Sequence, residues 1–319
     1  MLKNIIFSFL IGTYGTNIYT VNLDTATGAM TVQDKYTATN SSYAIAAGDA
    51  IYTFSESGAD SKVYSFQDGV RTEVPCPGDN PCFITLSPDR KYLMTADYSG
   101  GSVSVYPLQN GAVCERIQKL AFEGSGPVTR RQGSPHIHQV KILPDIPGVE
   151  GNWILAPDLG SDKIRILRYT GGNSARENNG TVGNPAPLVH ISDIHFPAGS
   201  GPRHIEFDVQ RQMMYCIAEL SGKVFAFRMA SKGGAPAFEL VQSVVADEYD
   251  TALSAGNSAA NCDKVVLCID LSYSKIENGN LLVTVLSCHL LVLEDSRRVD
   301  NTHRTGLAVD RTYAVSSLK

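Results

Sequence analysis

The chain has 319 residues, of which 43% are apolar and 18% charged, and its formal net charge is −5. It therefore holds enough apolar material for a sizeable core, and its mildly acidic balance argues against a nucleic-acid or anionic-membrane surface, which needs a basic face. Seven cysteines without regular spacing argue against a disulfide frame or a zinc finger and predict reduced thiols in a cytoplasmic protein.

The N-terminal MLKNIIFSFLIGTYG has the outline of a signal peptide, but its apolar run is short and no small-x-small cleavage site follows. It runs into the alternating Ile18–Val21, so residues 5–11 are predicted as a β-strand. No run is long enough to span a membrane. Residues 11–36 form a strand pair around Thr27-Gly28, and residues 43–66 add two or three more strands.

The same phrase then occurs three times, over residues 82–108, 138–169 and 204–228. Each copy is an apolar strand, a turn, a second strand, a small or acidic turn and a third strand. One such sheet cannot bury both faces alone, so its repetition predicts an all-β radial array of propeller type. No amphipathic helix is predicted. Two polar stretches, 121–135 and 170–202, read as loops walling one rim. Within the first, Arg130 and Arg131 read as a solvated edge. Beyond Asn261 apolar alternation continues without a further copy of the phrase.

His136 and His138 lie two apart on a predicted strand, so their side chains share a face. Arg203 and His204 open the next repeat, and Glu219 lies on its second strand. An imidazole moves a proton at neutral pH, a guanidinium fork holds a carboxylate or phosphate, and a carboxylate orients either. Competing readings are structural: hydrogen-bonded strand histidines, Arg203 capping a turn or pairing with Asp208, and Glu219 as a rim carboxylate. A zinc site of His136, His138 and His204 lacks a nearby fixed Cys or carboxylate, so no metal or cofactor is expected. Asp89, Asp97, Asp158 and Asp162 occupy repeated turn positions where Asp bonds the backbone. His190 and His195 read as bystanders.

Five segments in order, IGTYG (11–15), SPDRKYLMTADYSGGSVSVY (87–106), SPHIHQV (134–140), APDLGSDKI (156–164) and GSGPRHIEF through MYCIAELSGKV (199–224), resemble the lactonase family of seven-bladed propellers. That family includes propeller-type 6-phosphogluconolactonases and carboxy-cis,cis-muconate cyclases. The resemblance covers about residues 5–260. It implies a seven-bladed propeller domain over 1–260, irregular in its last blades, with 261–319 a divergent tail in place of the closing blades.

It also implies an enzyme that opens or forms a lactone ring on a small anionic sugar acid or muconate. His138 would be the proton-transfer group, Arg203 the anion clamp and Glu219 its partner, with His136 and His204 touching substrate. His138 is preferred because lactonase members keep the second histidine more dependably. The family's last blades carry a strand close to LYASNR, which is absent here. Residues 301–306 can be encoded so that a shifted frame spells Tyr-Ala-Ser-Asn-Arg, which points to a frameshift or retained intron after about residue 260. An arginine expected from the last blades is missing with that strand, so a propeller that only binds is the rival reading.

Overall fold

The computed structural model describes residues 6–24, 26–171 and 186–245, with the backbone of four strands between 276 and 314. Among the described residues the strands form six sheets, five of them meanders in chain order. The first is β1 (Ile6–Ile11), β2 (Asn17–Asp24) and β3 (Met30–Thr37). The second is β4 (Ala44–Ala47), β5 (Ala50–Phe54), β6 (Lys62–Gln67) and β7 (Val70–Pro75). The third joins β8 (Pro81–Leu86), β9 (Tyr92–Asp97) and β10 (Ser102–Gln109), with β11 (Ala112–Val113) and β12 (Gln118–Ala121) both pairing with β10. The fourth is β13 (Lys141–Ile142), β14 (Asn152–Asp158), β15 (Lys163–Tyr169) and β16 (Leu188–His195). The fifth is β17 (Pro202–Asp208), β18 (Met213–Ala218), β19 (Lys223–Lys232) and β20 (Ala235–Val245).

The chain divides into two compact units, Met1–Leu143 with Gly151–Asp193, and Pro144–Glu150 with Ile194–Lys319. In the first unit, period-two side-chain alternation builds the core by sending neighbouring residues to opposite faces. Ile18, Ile51, Tyr64 and Phe66 fill the layer between the first and second sheets. Tyr52, Phe54, Val63, Leu93 and Tyr106 fill the next layer, and Met94, Val103, Ile154 and Leu167 the one after it. Leu93 and Met94 are adjacent on β9, both fully buried, and serve different layers. A central strand is thus buried on both sides, as β5 is along its whole length. Each such side chain contributes roughly 1.5–3 kcal/mol by leaving water.

All three predicted strand–turn–strand–turn–strand phrases are present, each with an outer strand added. The 170–202 segment is not all loop, because its end forms β16 and then the start of β17. The 121–135 segment carries a one-turn helix, α1 (Thr129–Gln132). His136 and His138 do not lie on a continuous strand. They flank one bridge, Ile137 to Asp158, before β13 begins. In the second unit, β21 (Ile276–Glu277), β22 (Asn280–Val283), β23 (His289–Glu294) and β24 (Val309–Ala314) form an antiparallel sheet inside the stretch read as a divergent tail. The shifted-frame segment 301–306 lies outside the described residues.

Candidate active site

The SPHIH segment is held against two close glycine-bearing turns. A Cβ on Gly160 would meet the Ser134 carbonyl and come within 2.9 Å of His136 N, and one on Gly101 would lie 2.8 Å from the Pro135 carbonyl. His136 N donates to Asp158 Oδ1 at 2.9 Å, and His138 N to the Pro157 carbonyl at 2.9 Å. Ile137 between them is fully buried in the core layer. The two imidazoles turn the other way and share Tyr98. His136 stacks on its ring at 4.3 Å and 12°, and His138 meets it edge-on at 5.6 Å and 80°.

His136 Nδ1 lies 2.8 Å from the Tyr98 carbonyl, which can only accept, so Nδ1 carries the proton. His138 is 7% exposed, and its Nδ1 lies 3.8 Å from Cys82 Sγ. The Cys82 thiol also faces the Ile137 carbonyl at 3.5 Å.

Register explains why these side chains stand at strand entrances. In the third sheet Pro81 pairs with Asp97 and Phe83 with Ala96, so Cys82 is the extra residue of a bulge. In the fifth, Pro202 pairs with Ala218 and His204 with Ile217, so Arg203 is the extra residue. In the fourth, Ile137 faces Asp158 and Lys141 faces Leu155, so four steps on one strand match three on the other, and His138 follows the bridge. Cys82, His138 and Arg203 thus open the irregular entrance of three consecutive sheets. A bulge bends the strand and re-aims its extra side chain, which is why bulges recur beside reactive sites.

Arg203 pairs with Glu219, and both side chains are largely buried, at 16% and 6% exposure. Glu219 N donates to the Gly201 carbonyl at 2.8 Å, which fixes the carboxylate just past β18. The rival pairing of Arg203 with Asp208 is not the one formed, because Asp208 pairs with Arg211 at 2.6 Å. His204, next along β17, points elsewhere. It lines a small open hollow with Glu206, Tyr215, Ile217 and Val224. The structure therefore joins His136 to His138 within the first unit and Arg203 to Glu219 within the second.

The model for the family of seven-bladed β-propeller lactonases matches residues 8–263. The chain belongs to the lactonase family. Its similar proteins include a 6-phosphogluconolactonase of Bacillus subtilis, 29% identical over 173 residues, which are 54% of this chain and 44% of that protein. An uncharacterized Staphylococcus saprophyticus protein is 29% identical over 228 residues, 67% of this chain and 61% of the relative. The chain thus spans less than two thirds of the length of these curated relatives, 44% of one and 61% of the other. A solved Bacteroides fragilis structure, provisionally described as a 6-phosphogluconolactonase, is 26% identical with a TM-score of 0.68, covering 98% of this chain and 83% of that one. The periplasmic gluconolactonase of Pseudomonas aeruginosa shares the fold at 23% identity and a TM-score of 0.67, covering 99% and 85%.

One carboxylate of this chain, Asp97, departs from its reading as a turn residue, while Asp158 accepts from Gly160 N of its turn at 3.1 Å and adds a buried role to it. Asp89 and Asp162 do serve turns: Asp89 accepts from Lys91 N at 3.2 Å and Asp162 adopts a left-handed φ of 54°. Asp97 and Asp158, however, are completely buried. Asp158 accepts from Arg165 Nη2 at 2.6 Å as well as from the His136 backbone. Asp97 accepts hydroxyl bonds from Thr95, Ser102 and Ser104 at 2.7, 2.8 and 2.6 Å. The acidic turn position of the repeat is in these two sheets an interior anchor. Among the described residues no group of three or more His, Cys, Asp or Glu side chains is placed to hold a metal. No helix among them is long and apolar enough to cross a membrane.

Burial, with the nearby Asp79 charge adding to it against the three hydroxyl bonds, pushes the Asp97 carboxyl up to about 6. The folded chain then holds this proton more tightly than the unfolded chain, whose Asp titrates near 4. Its stabilising effect is complete below pH 4 and is lost as pH rises through 6, a swing of about 3 kcal/mol. Urea midpoints of the native chain and Asp97→Asn should therefore diverge between pH 4 and 7, the native chain losing ground as pH rises. Parallel curves would contradict this.

Proposed function

We propose that this chain hydrolyses the lactone ring of a small anionic sugar acid, as a cytoplasmic enzyme of the 6-phosphogluconolactonase type. His138 takes a proton from the attacking water at Nε2, its Nδ1 being directed at Cys82. The new C–O bond forms at the lactone carbonyl, and Arg203 holds the negative charge that develops on the carbonyl oxygen. The ring C–O bond then breaks, and the leaving ring oxygen receives the proton from His138. Glu219 keeps the Arg203 fork in position, and His136 contacts the substrate, whereas His204, turned into its own hollow, has no part in it. No step calls on a metal or cofactor.

The observation that carries this reading is the shared register: a proton-transfer group and a cation stand at equivalent bulged entrances of consecutive sheets. The similarity to a Bacillus subtilis 6-phosphogluconolactonase supports the choice of reaction. The test is a parallel assay of the purified chain on 6-phosphogluconolactone, against spontaneous hydrolysis, and on carboxy-cis,cis-muconate. Accelerated lactone opening is expected. Cyclisation of the muconate alone would replace the hydrolase with a cycloisomerase, and no turnover of either would leave a propeller that only binds.

A further inference from the structure

Arg131 is not the solvated edge that its loop composition suggests. Its Nη2 donates to Tyr98 Oη at 3.4 Å, and the ring of that same tyrosine carries His136 on its face and His138 on its edge. The guanidinium thus stands one phenol ring away from the imidazole pair, all within the first unit.

The segment that bears Arg131 is held in place by its neighbour. Gln132 is fully buried, and its amide donates to the Leu159 carbonyl at 2.9 Å and to Asp162 Oδ1 at 2.8 Å. Gly126 N donates to the Gln132 carbonyl at 2.9 Å, which closes the loop on itself. Leu159 and Asp162 follow Asp158, the carboxylate that anchors His136 N. One rigid turn therefore positions both the imidazole segment and the guanidinium, so the separation between them is built in. Side chains fixed before a ligand arrives lose little freedom on binding it.

We infer that Arg131 is the subsite for a phosphate group at the end of the substrate remote from its reacting carbonyl. This rests on the lactone-hydrolase reading above, in which Arg203 serves the developing oxyanion and another cation is needed for a second anionic group. A guanidinium offers parallel N–H donors in a plane, which suits a phosphate better than a point charge does. Arg131 reaches the hydroxyl end of the Tyr98 ring whose edge meets His138, so the width of one ring separates the guanidinium from the proton-transfer group, as a phosphate across a sugar ring from its carbonyl requires. Arg131 thereby sets the preference for a phosphorylated over an unphosphorylated sugar acid.

The test compares calorimetric binding of 6-phosphogluconate and gluconate to the full chain, to Arg131→Gln and to Arg130→Gln, alongside turnover of the two corresponding lactones. The native chain should bind the phosphorylated acid at least about tenfold more tightly, as loss of one charge-assisted bond implies. Arg131→Gln should erase that preference and raise KM for the phosphorylated lactone, with kcat and gluconolactone turnover unchanged. Arg130→Gln should behave as the native chain. Equal native affinity for the two acids would overturn the subsite, as would an Arg131→Gln variant that keeps the preference or loses both lactones alike. A preference abolished by Arg131→Gln in a chain that opens no lactone would uphold the subsite and sink the hydrolase.

Discussion

Replacement of His138 by glutamine should lower kcat for lactone opening by about 10²–10⁴-fold, the range for removing a positioned proton-transfer group. The fold should be spared. The side chain lies outside the apolar layers, and His138 N bonds the Pro157 carbonyl through the backbone, which the substitution leaves intact. KM should change little, since the group acts on the water rather than on the bound sugar acid. His136→Gln should cost less and act mainly on KM, because His136 is placed only as a substrate contact. Steady-state kinetics with near-native melting temperatures in both variants would bear this out. A fully active His138→Gln would remove His138 from the mechanism.

The largest effect on stability should come from Asp158→Ala. Arg165, only 4% exposed, donates to Asp158 through Nη2 at 2.6 Å and Nε at 3.1 Å, and its guanidinium lies over Phe122 at 4.9 Å. Removing one member of a buried pair strands its partner and costs roughly 3–5 kcal/mol. Asp193, 3.1 Å from Arg165 Nη1, remains as a second carboxylate and favours the lower end of that range. Arg165→Met combined with Asp158→Asn should recover much of the loss, since no charge is then left buried alone. Asp158 also accepts from His136 N, so the alanine variant should lose activity beyond what its melting temperature explains. A loss under about 1 kcal/mol would show that the pair is not the anchor described.

The inner strands of this chain were legible because their chemistry is periodic. Leu93 and Met94 on β9, and Val105 and Tyr106 on β10, alternate between two layers, and the repeated phrase marks each hairpin. The outer strands were not legible because one side faces water. Val189 and Ile191 of β16 are exposed apolar residues among polar ones, and β20 is largely exposed between Glu239 and Gln242. Such edges carry little hydrophobic pattern to read.

The site divides along the same line. The His136/His138 spacing announced a shared face, and both rings do meet Tyr98. The one-residue slips that bring Cys82 and Arg203 into equivalent positions leave no mark in composition, because a bulge is a property of two paired strands. Asp97 and Asp158 looked like turn acids because the residues that bury them, Ser104 and Arg165, lie seven positions away across a hairpin. Arg131 looked solvated because its partner Tyr98 is 33 residues distant.

The central claim is that His138 and the Arg203–Glu219 pair serve one reaction, and a double-mutant cycle on kcat/KM for 6-phosphogluconolactone hydrolysis tests it most directly. His138→Gln, Arg203→Gln and the double variant should show strong coupling, the double variant being little worse than the more damaged single one, because groups acting on one transition state fail together. Losses that multiply, or a lactonase rate untouched by Arg203→Gln, would contradict it.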